Sequence, residues 1–202
     1  MYTRILCPVD FSEGASHAAD LAIAMARSHA SCINAQHVYK PVLMPVPGLP
    51  APEERVSEAE LSRVRAETAK CFERAATLGI RVDATVDVGE PAIGILRRAS
   101  EWPADLIVMG THGASGFERL VLGSVTEKVL RKATCPVLTV PPHAQATSRL
   151  PFRRLLCAID FSDWSLQALD HAATLAQQSG AELTLLHTLE WPWSEPPAPD
   201  LH

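Results

Sequence analysis

The chain has 202 residues, 47% of them hydrophobic and 20% charged, the balance of a globular protein and not of a disordered one. No apolar run approaches the roughly 18 residues a membrane helix needs, and Met1-Tyr-Thr-Arg-Ile5 leads into a strand pattern without the regions of a signal peptide, so no membrane partner and a cytoplasmic location are expected. The formal net charge of −5, with no run of Lys or Arg, argues against a nucleic-acid partner. Cys7, Cys32, Cys71, Cys135 and Cys157 form no C-x-x-C and no zinc spacing, and read as free thiols.

Residues 5–9 are a short apolar run with Pro8 near its end, where a missing ladder donor is tolerated. Asp10-Phe11-Ser12 follows as a loop with Ser12 as N-cap candidate. Residues 15–29 then read as a helix with Ala18, Leu21, Ala22, Met25 and Ala26 on one face. Residues 32–39 form the next strand, and the Pro-rich segment 40–53 is expected to be a surface loop or lid. The longest expected helix is 54–78, with an apolar stripe of Val56, Leu61, Val64, Ala69, Phe72, Ala75 and Ala76 and with Gly79 as its stop. Residues 81–88 alternate as a strand, and Pro91 opens a helix to about Ser100. Strand 105–109, helix 125–132 and strand 135–140 complete the unit before Pro141-Pro142. Strands alternating with helices in this way predict an α/β fold, a doubly wound five-stranded parallel sheet with right-handed crossovers.

Residues 143–151 read as a linker, after which the chain repeats itself. Arg154-Leu-Leu-Cys157-Ala-Ile-Asp160-Phe-Ser162 echoes Arg4-Ile-Leu-Cys7-Pro-Val-Asp10-Phe-Ser12. Asp170 falls on Asp20, Ala176 on Ala26 and His187 on His37, and eleven of 37 aligned positions are identical without a gap. The second copy, 152–202, supplies only a β-α-β unit and a Pro-rich tail, so three domains of organisation are expected: 1–142, the linker, and a truncated repeat. The repeat's helix face is Leu166, Leu169, Ala172, Ala173 and Ala176. A unit of about forty residues is too small for an adequate core of its own, which favours docking on the first domain or on a partner's matching unit.

The richest stretch follows the fourth strand. Gly110, two residues, Gly113, nine residues and Gly123-Ser124 lead into an amphipathic helix. Glycines let backbone N–H groups approach an anion, and a helix start offers unpaired N–H groups at a positive dipole end. The spacing is neither of the common nucleotide fingerprints. Two structural readings stand beside the phosphate reading: the glycines as turn residues, and Ser124 with Glu127 as a capping box.

The G-x2-G-x9-G-[ST] spacing resembles the ATP-binding motif of the universal stress protein family, and Gly110, Gly113, Gly123 and Ser124 match it position by position. The opening strand ending in Asp10 and the closing strand Thr134-Cys-Pro-Val-Leu-Thr-Val140 resemble the same family. The resemblance covers roughly 1–142, with a partial second copy. It implies strand order 3-2-1-4-5, an adenine nucleotide alpha hydrolase-like sheet, and ATP as ligand with Mg²⁺ as its possible companion. In such sheets ligands sit beyond the strand carboxyl ends at the switch point between strands 1 and 4, which makes Asp10 and Gly110 neighbours. Asp10 can then accept ribose hydroxyls or help hold Mg²⁺, against the alternative that it caps the next helix. The resemblance puts the base beside His37 and Val38 and completes the site with Pro8, Met109, His112 and Val125. His112 reads either as a phosphate contact or as a solvated loop residue, and Arg119 either as an offset to phosphate charge or as a surface residue. Relatives also pair through the closing strand, so a homodimer through 135–140 is expected, with Val137, Leu138 and Val140 on an exposed edge.

No nucleophile elbow, catalytic triad or paired carboxylates stand at a recognisable spacing, so no catalytic residue is expected beyond slow ATP hydrolysis. Two functions stay open: an ATP-binding stress-response or signalling module, and a nucleotide-free interaction or scaffold protein of the same fold. Asp160 has no glycine loop to face, so one nucleotide per chain is expected.

Overall fold

The computed structural model describes residues 2–40, 56–111, 122–141, 150 and 152–189. The chain divides into two compact units, Met1–Leu150 and Pro151–His202. In the first, β1 (Arg4–Pro8), α1 (Glu13–His29), β2 (Cys32–Tyr39), α2 (Glu58–Lys70), α3 (Glu73–Thr77), β3 (Val82–Val88), α4 (Pro91–Glu101), β4 (Leu106–Gly110), α5 (Ser124–Lys132) and β5 (Val137–Val140) build one sheet in the order β3-β2-β1-β4-β5. Every pairing is parallel, as the alternation of strands and helices predicts.

The central strand explains its own composition. β1 has neighbours on both edges and helices on both faces, so Ile5, Leu6 and Cys7 are fully buried, and a continuous apolar run takes the place of alternation. The five apolar residues expected on one face of α1 are all buried. Ser12 caps this helix, its Oγ accepting from the Ala15 N–H at 3.2 Å.

Several expectations change. The single helix over 54–78 is two helices, broken at Cys71-Phe72. Phe72 leaves helical geometry (φ −119°, ψ 14°) and its ring is almost wholly buried. Its amide bonds the Ala69 carbonyl at 3.0 Å, a tightened turn that swings the ring inward. The buried stripe is Val64, Thr68, Phe72 and Ala75, while Ala69 and Ala76 are exposed. Thr68 can sit in it because its hydroxyl donates to the Val64 carbonyl at 2.9 Å. The closing strand begins at Val137, leaving Cys135 before it. β5 does lie at the sheet edge, but Val140 is buried and contributes nothing to an exposed edge; Val137 and Leu138 are half-buried.

Helix α4 is fastened to the sheet by a polar cluster. Asp87 accepts from Gln36 Nε2 (2.7 Å), Arg97 (2.7 Å) and Arg98 (3.1 Å), and Gln36 Nε2 also donates to the Gly94 carbonyl at 3.1 Å. Burial alone would raise the Asp87 carboxyl; the bonds from Gln36 and Arg98 and the charges of Arg98 and Arg97 outweigh it and hold the group below its ordinary value.

The second unit is β6 (Arg154–Ala158), α6 (Asp163–Ser179) and β7 (Glu182–Leu186), with β6 and β7 parallel. This is the β-α-β unit the repeat predicts. Its expected helix face is only partly covered: Ala176 is buried, but Leu166 and Ala173 are exposed, as are Leu156, Leu185 and Leu186. Whereas α1 packs on β1, β2, β4 and β5, α6 packs on β6 and β7.

Both copies close their helix with a left-handed residue, but the first uses Ala30 (φ 53°) where the second uses Gly180 (φ 65°). The left-handed region costs alanine about 1–2 kcal/mol, and glycine's looser unfolded chain returns about 0.5–1 kcal/mol of that. Ala30→Gly should therefore stabilise the protein by about 0.5 kcal/mol, seen as a raised urea midpoint at unchanged slope. A lowered midpoint would contradict this account of the cap.

Candidate functional site

The carboxyl ends of β1, β2 and β4 meet α4 and α5 around a cleft of about 260 Å³. Pro8, Asp10, Val38, Met109, Gly110, Gly123, Ser124 and Val125 all line it. Residues from four separate stretches of sequence thus share one concave surface at the switch point between β1 and β4. His112, Gly113 and Arg119 lie outside the described residues.

His37 does not line the cleft. Its ring stacks on Phe11 with centroids 4.6 Å apart, and its Nδ1 lies 2.8 Å from the Val9 carbonyl oxygen. Phe11 occupies the left-handed region (φ 64°), a costly place for an aromatic residue. The turn it makes carries the chain from β1 into α1 and points Asp10 at the cleft. Asp10 Oδ1 accepts from the Ser12 amide (3.1 Å) and hydroxyl (2.5 Å). Ser12 is the cap of α1 and Asp10 orients it, so the capping alternative for Asp10 falls to Ser12.

The start of α5 departs from the expected capping box. Gly123 is the N-cap and Ser124 the first helical residue, with no side-chain bond capping the helix. The first helical N–H groups have no partner within a helix, so the amides of Ser124 and Val125 stand at the cleft wall without the serine cap. Gly123 itself has φ −60° and ψ 145°, open to any residue; its lack of a side chain matters only for close approach.

Bonds on either side of the glycine loop hold its ends together. The Thr111 amide donates to the Val140 carbonyl (2.9 Å), the Gly123 amide to the Thr111 carbonyl (2.8 Å), and the Thr126 hydroxyl to the Gly110 carbonyl (2.9 Å). At the rim, Glu90 bridges Lys40 (3.2 Å) and Lys128 (3.5 Å), tying the ends of β2, α4 and α5. The hydrogen bond from Lys40, then its charge and that of Lys128, hold the Glu90 carboxyl below its ordinary value.

Sequence reasoning missed Val9, Ala15, Pro91, Ile95 and Thr126 in the lining. Pro91 and Ile95 carried a signal: they open the helix after β3, one turn apart, at the same sheet edge as Val38. Among the described residues no group of three or more His, Cys, Asp or Glu could hold a metal, and Asp10 is the one acid in the described lining. No helix among them is long and apolar enough to cross a membrane.

The family model for universal stress proteins matches residues 1–141 and again 151–201. The chain belongs to the universal stress protein family. The match recovers both copies of the repeat. A universal stress protein of Thermus aquaticus is 41% identical over 145 residues, covering 69% of this chain and 99% of that one. Universal stress protein MJ0531 of Methanocaldococcus jannaschii is 37% identical over 142 residues, covering 69% and 82%. A solved universal stress protein from Archaeoglobus fulgidus aligns with a TM-score of 0.69 at 26% identity, over 93% of this chain and 67% of its own. Another, solved in complex with cAMP, aligns with a TM-score of 0.52 at 25% identity, over 70% and 98%.

Gly94 in α4 faces Val38 across the cleft wall. A Cβ added there would lie 2.9 and 3.1 Å from the two Val38 methyls, so Val38 must shift. Gly94→Ala gains about 1 kcal/mol of helix propensity but overpacks by about 1–3 kcal/mol. The expected net effect is a loss of about 1 kcal/mol in urea unfolding. A clear gain in stability would show that Val38 yields freely.

Proposed function

We propose that the first unit, residues 1–142, is a nucleotide-binding domain that takes ATP, and that the protein acts as a stress-response or signalling module through it. One observation carries this reading: Asp10, Gly110 and an α5 start without a side-chain cap border the same cleft. A carboxylate at the end of one strand and exposed helix amides at the end of its neighbour suit the sugar and the phosphates of one ligand. A family member solved with cAMP supports an adenine base.

In this reading the base lies against Val38 and Met109, the ribose against Asp10, and the phosphates against Gly110, Gly123, Ser124 and Val125, with His112 and Gly113 in the same loop. Mg²⁺ suits the cleft only as a companion of the phosphates, because it is commonly held by one or two carboxylates plus phosphate oxygens, and Asp10 supplies one. Bound so, it would neutralise phosphate charge. His37 serves as a prop, holding Phe11 and the Val9 carbonyl and so the backbone on either side of Asp10. The protein is a binding module and not a dedicated enzyme, working in the cytoplasm. The second unit keeps the hydrogen bonds of Asp160, Ser162 and His187 as in the first, with the Phe161 and His187 rings tilted and not stacked, but pairs no counterpart of β4 among its described strands, which supports one nucleotide per chain.

Calorimetry with Mg-ATP on the full chain tests the site. Saturation at one nucleotide per chain is expected, and Gly123→Val should weaken binding about tenfold or more by holding phosphate away from the amides. Unchanged affinity in a folded variant, or two sites per chain, would overturn the assignment.

The edge strand β5 supports a homodimer across a two-fold axis, through Val137 and Leu138. Light scattering at micromolar concentration should give twice the mass of one chain. The mass of one chain would remove the dimer without touching the nucleotide site.

A further inference from the structure

A second cleft of the first unit lies at the opposite end of the sheet from the proposed nucleotide site. It has a volume of about 750 Å³ and is bordered by the amino ends of β1, β2 and β3 and the carboxyl ends of α1 and α4. Arg4 of β1, Arg27 of α1 and Arg81 just before β3 line it together with Cys32, Ile80 and Trp102. On a chain of net charge −5, three arginines lining one concavity are a local reversal of sign.

Helix ends do not account for it. Negative dipole ends at the carboxyl termini of α1 and α4 explain Arg27, in the last turn of α1, but not Arg4 and Arg81, which stand at strand starts. Internal pairing does not account for it either. Asp105 is engaged by the Thr3 amide (2.8 Å), the Thr3 hydroxyl (2.6 Å) and the Arg4 amide (3.0 Å). The Cys32 sulfur and the Asp83 carboxylate act on Arg81 electrostatically and raise it above its ordinary value. Among the described residues, no carboxylate lies within 4.0 Å of any of the three guanidiniums.

We propose that this cleft is a second binding site, selective for a small molecule that carries an oxyanion, phosphate or carboxylate, on an apolar or planar body. Guanidinium forks match both oxyanions, and the half-buried Trp102 with Ile80 offers the apolar wall. A volume of this size takes a ligand of ordinary metabolite dimensions. The site is separate from the nucleotide cleft in residues and in place, so either can fail without the other.

Cys32 is a built-in reporter. It is half-buried in the cleft floor, with its thiol 3.4 Å from the Thr3 carbonyl oxygen. The full-length protein is treated with a mixture of iodoacetate and the neutral iodoacetamide, and the product ratio at Cys32 is read by peptide mass spectrometry. The ratio is normalised to the same protein unfolded in urea. An anion-collecting cleft should enrich the carboxymethyl product about tenfold. The enrichment should vanish in Arg27→Ala/Arg81→Ala and persist in Arg81→Lys. Phenyl phosphate and benzoate, added separately, should protect Cys32, and the stronger protector says which oxyanion the cleft prefers. A ratio at Cys32 equal to that of the unfolded protein, enrichment that survives the double substitution, or protection by neither probe would overturn the proposal.

Discussion

The Asp105 carboxylate fixes the register on which the cleft depends. Its two oxygens take three hydrogen bonds from Thr3 and Arg4, and its own amide donates to the Arg4 carbonyl at 3.0 Å. This clasp sits at the amino end of the β1–β4 pair and sets Ile5 opposite Leu106. Side chains alternate along a strand, so a slip of one residue would turn Ile107 and Met109 to the wrong faces of the sheet. It would also carry Gly110 away from Asp10. The geometry at one end of the sheet is thus decided by hydrogen bonds at the other, a few residues away along rigid strands.

The strands and the ends that border the cleft were legible in features the sequence carries directly, while the order 3-2-1-4-5 came with the family resemblance. Apolar runs mark the strands, parallel strands end at one edge, and residues at or just past each strand's end fall there; Asp10, Val38 and Gly110 are such residues. What was not legible depends on side-chain conformation. His37 is at a strand end like Val38, but its ring turns onto Phe11, whose left-handed backbone nothing in an Asp-Phe-Ser triplet announces. Ser124 has the identity of a cap but stands one residue inside the helix. The break at Phe72 is hidden because its neighbours are good helix formers and only the demand to bury the ring interrupts them. The arginine-lined cleft escaped notice because Arg4, Arg27 and Arg81 converge only in space.

The two copies of the repeat separate what is local from what is tertiary. Phe11 and Phe161 share the left-handed turn, Ser12 and Ser162 the capping bond, and His37 and His187 the bond to the carbonyl 28 residues back. These persist in the second unit, where among the described strands β6 and β7 pair only with each other, so they arise from the local sequence and the β-α-β crossing. Burial does not persist. Leu6 is fully buried, but Leu156 at the same place in the repeat is 66% exposed. The hydroxyl and amide bonds of Ser162, with that of Ser165, hold the Asp160 carboxyl down to about 2. The turn is therefore electrostatically complete even where the apolar packing is not.

The β1–β4 pairing has a further consequence, in chain entropy. β1 meets β2 across 28 residues but meets β4 across 101. Closing the longer loop costs about 1 kcal/mol more than closing the shorter one, since the cost grows with the logarithm of length. The two walls of the cleft, Asp10 just past one strand and Gly110 at the end of the other, are thus held by the strand pair whose meeting the unfolded chain resists most. A molecule that touches both walls ties them across that separation. It binds the folded chain and not the open one, so each bound molecule adds to the stability of the whole unit by mass action.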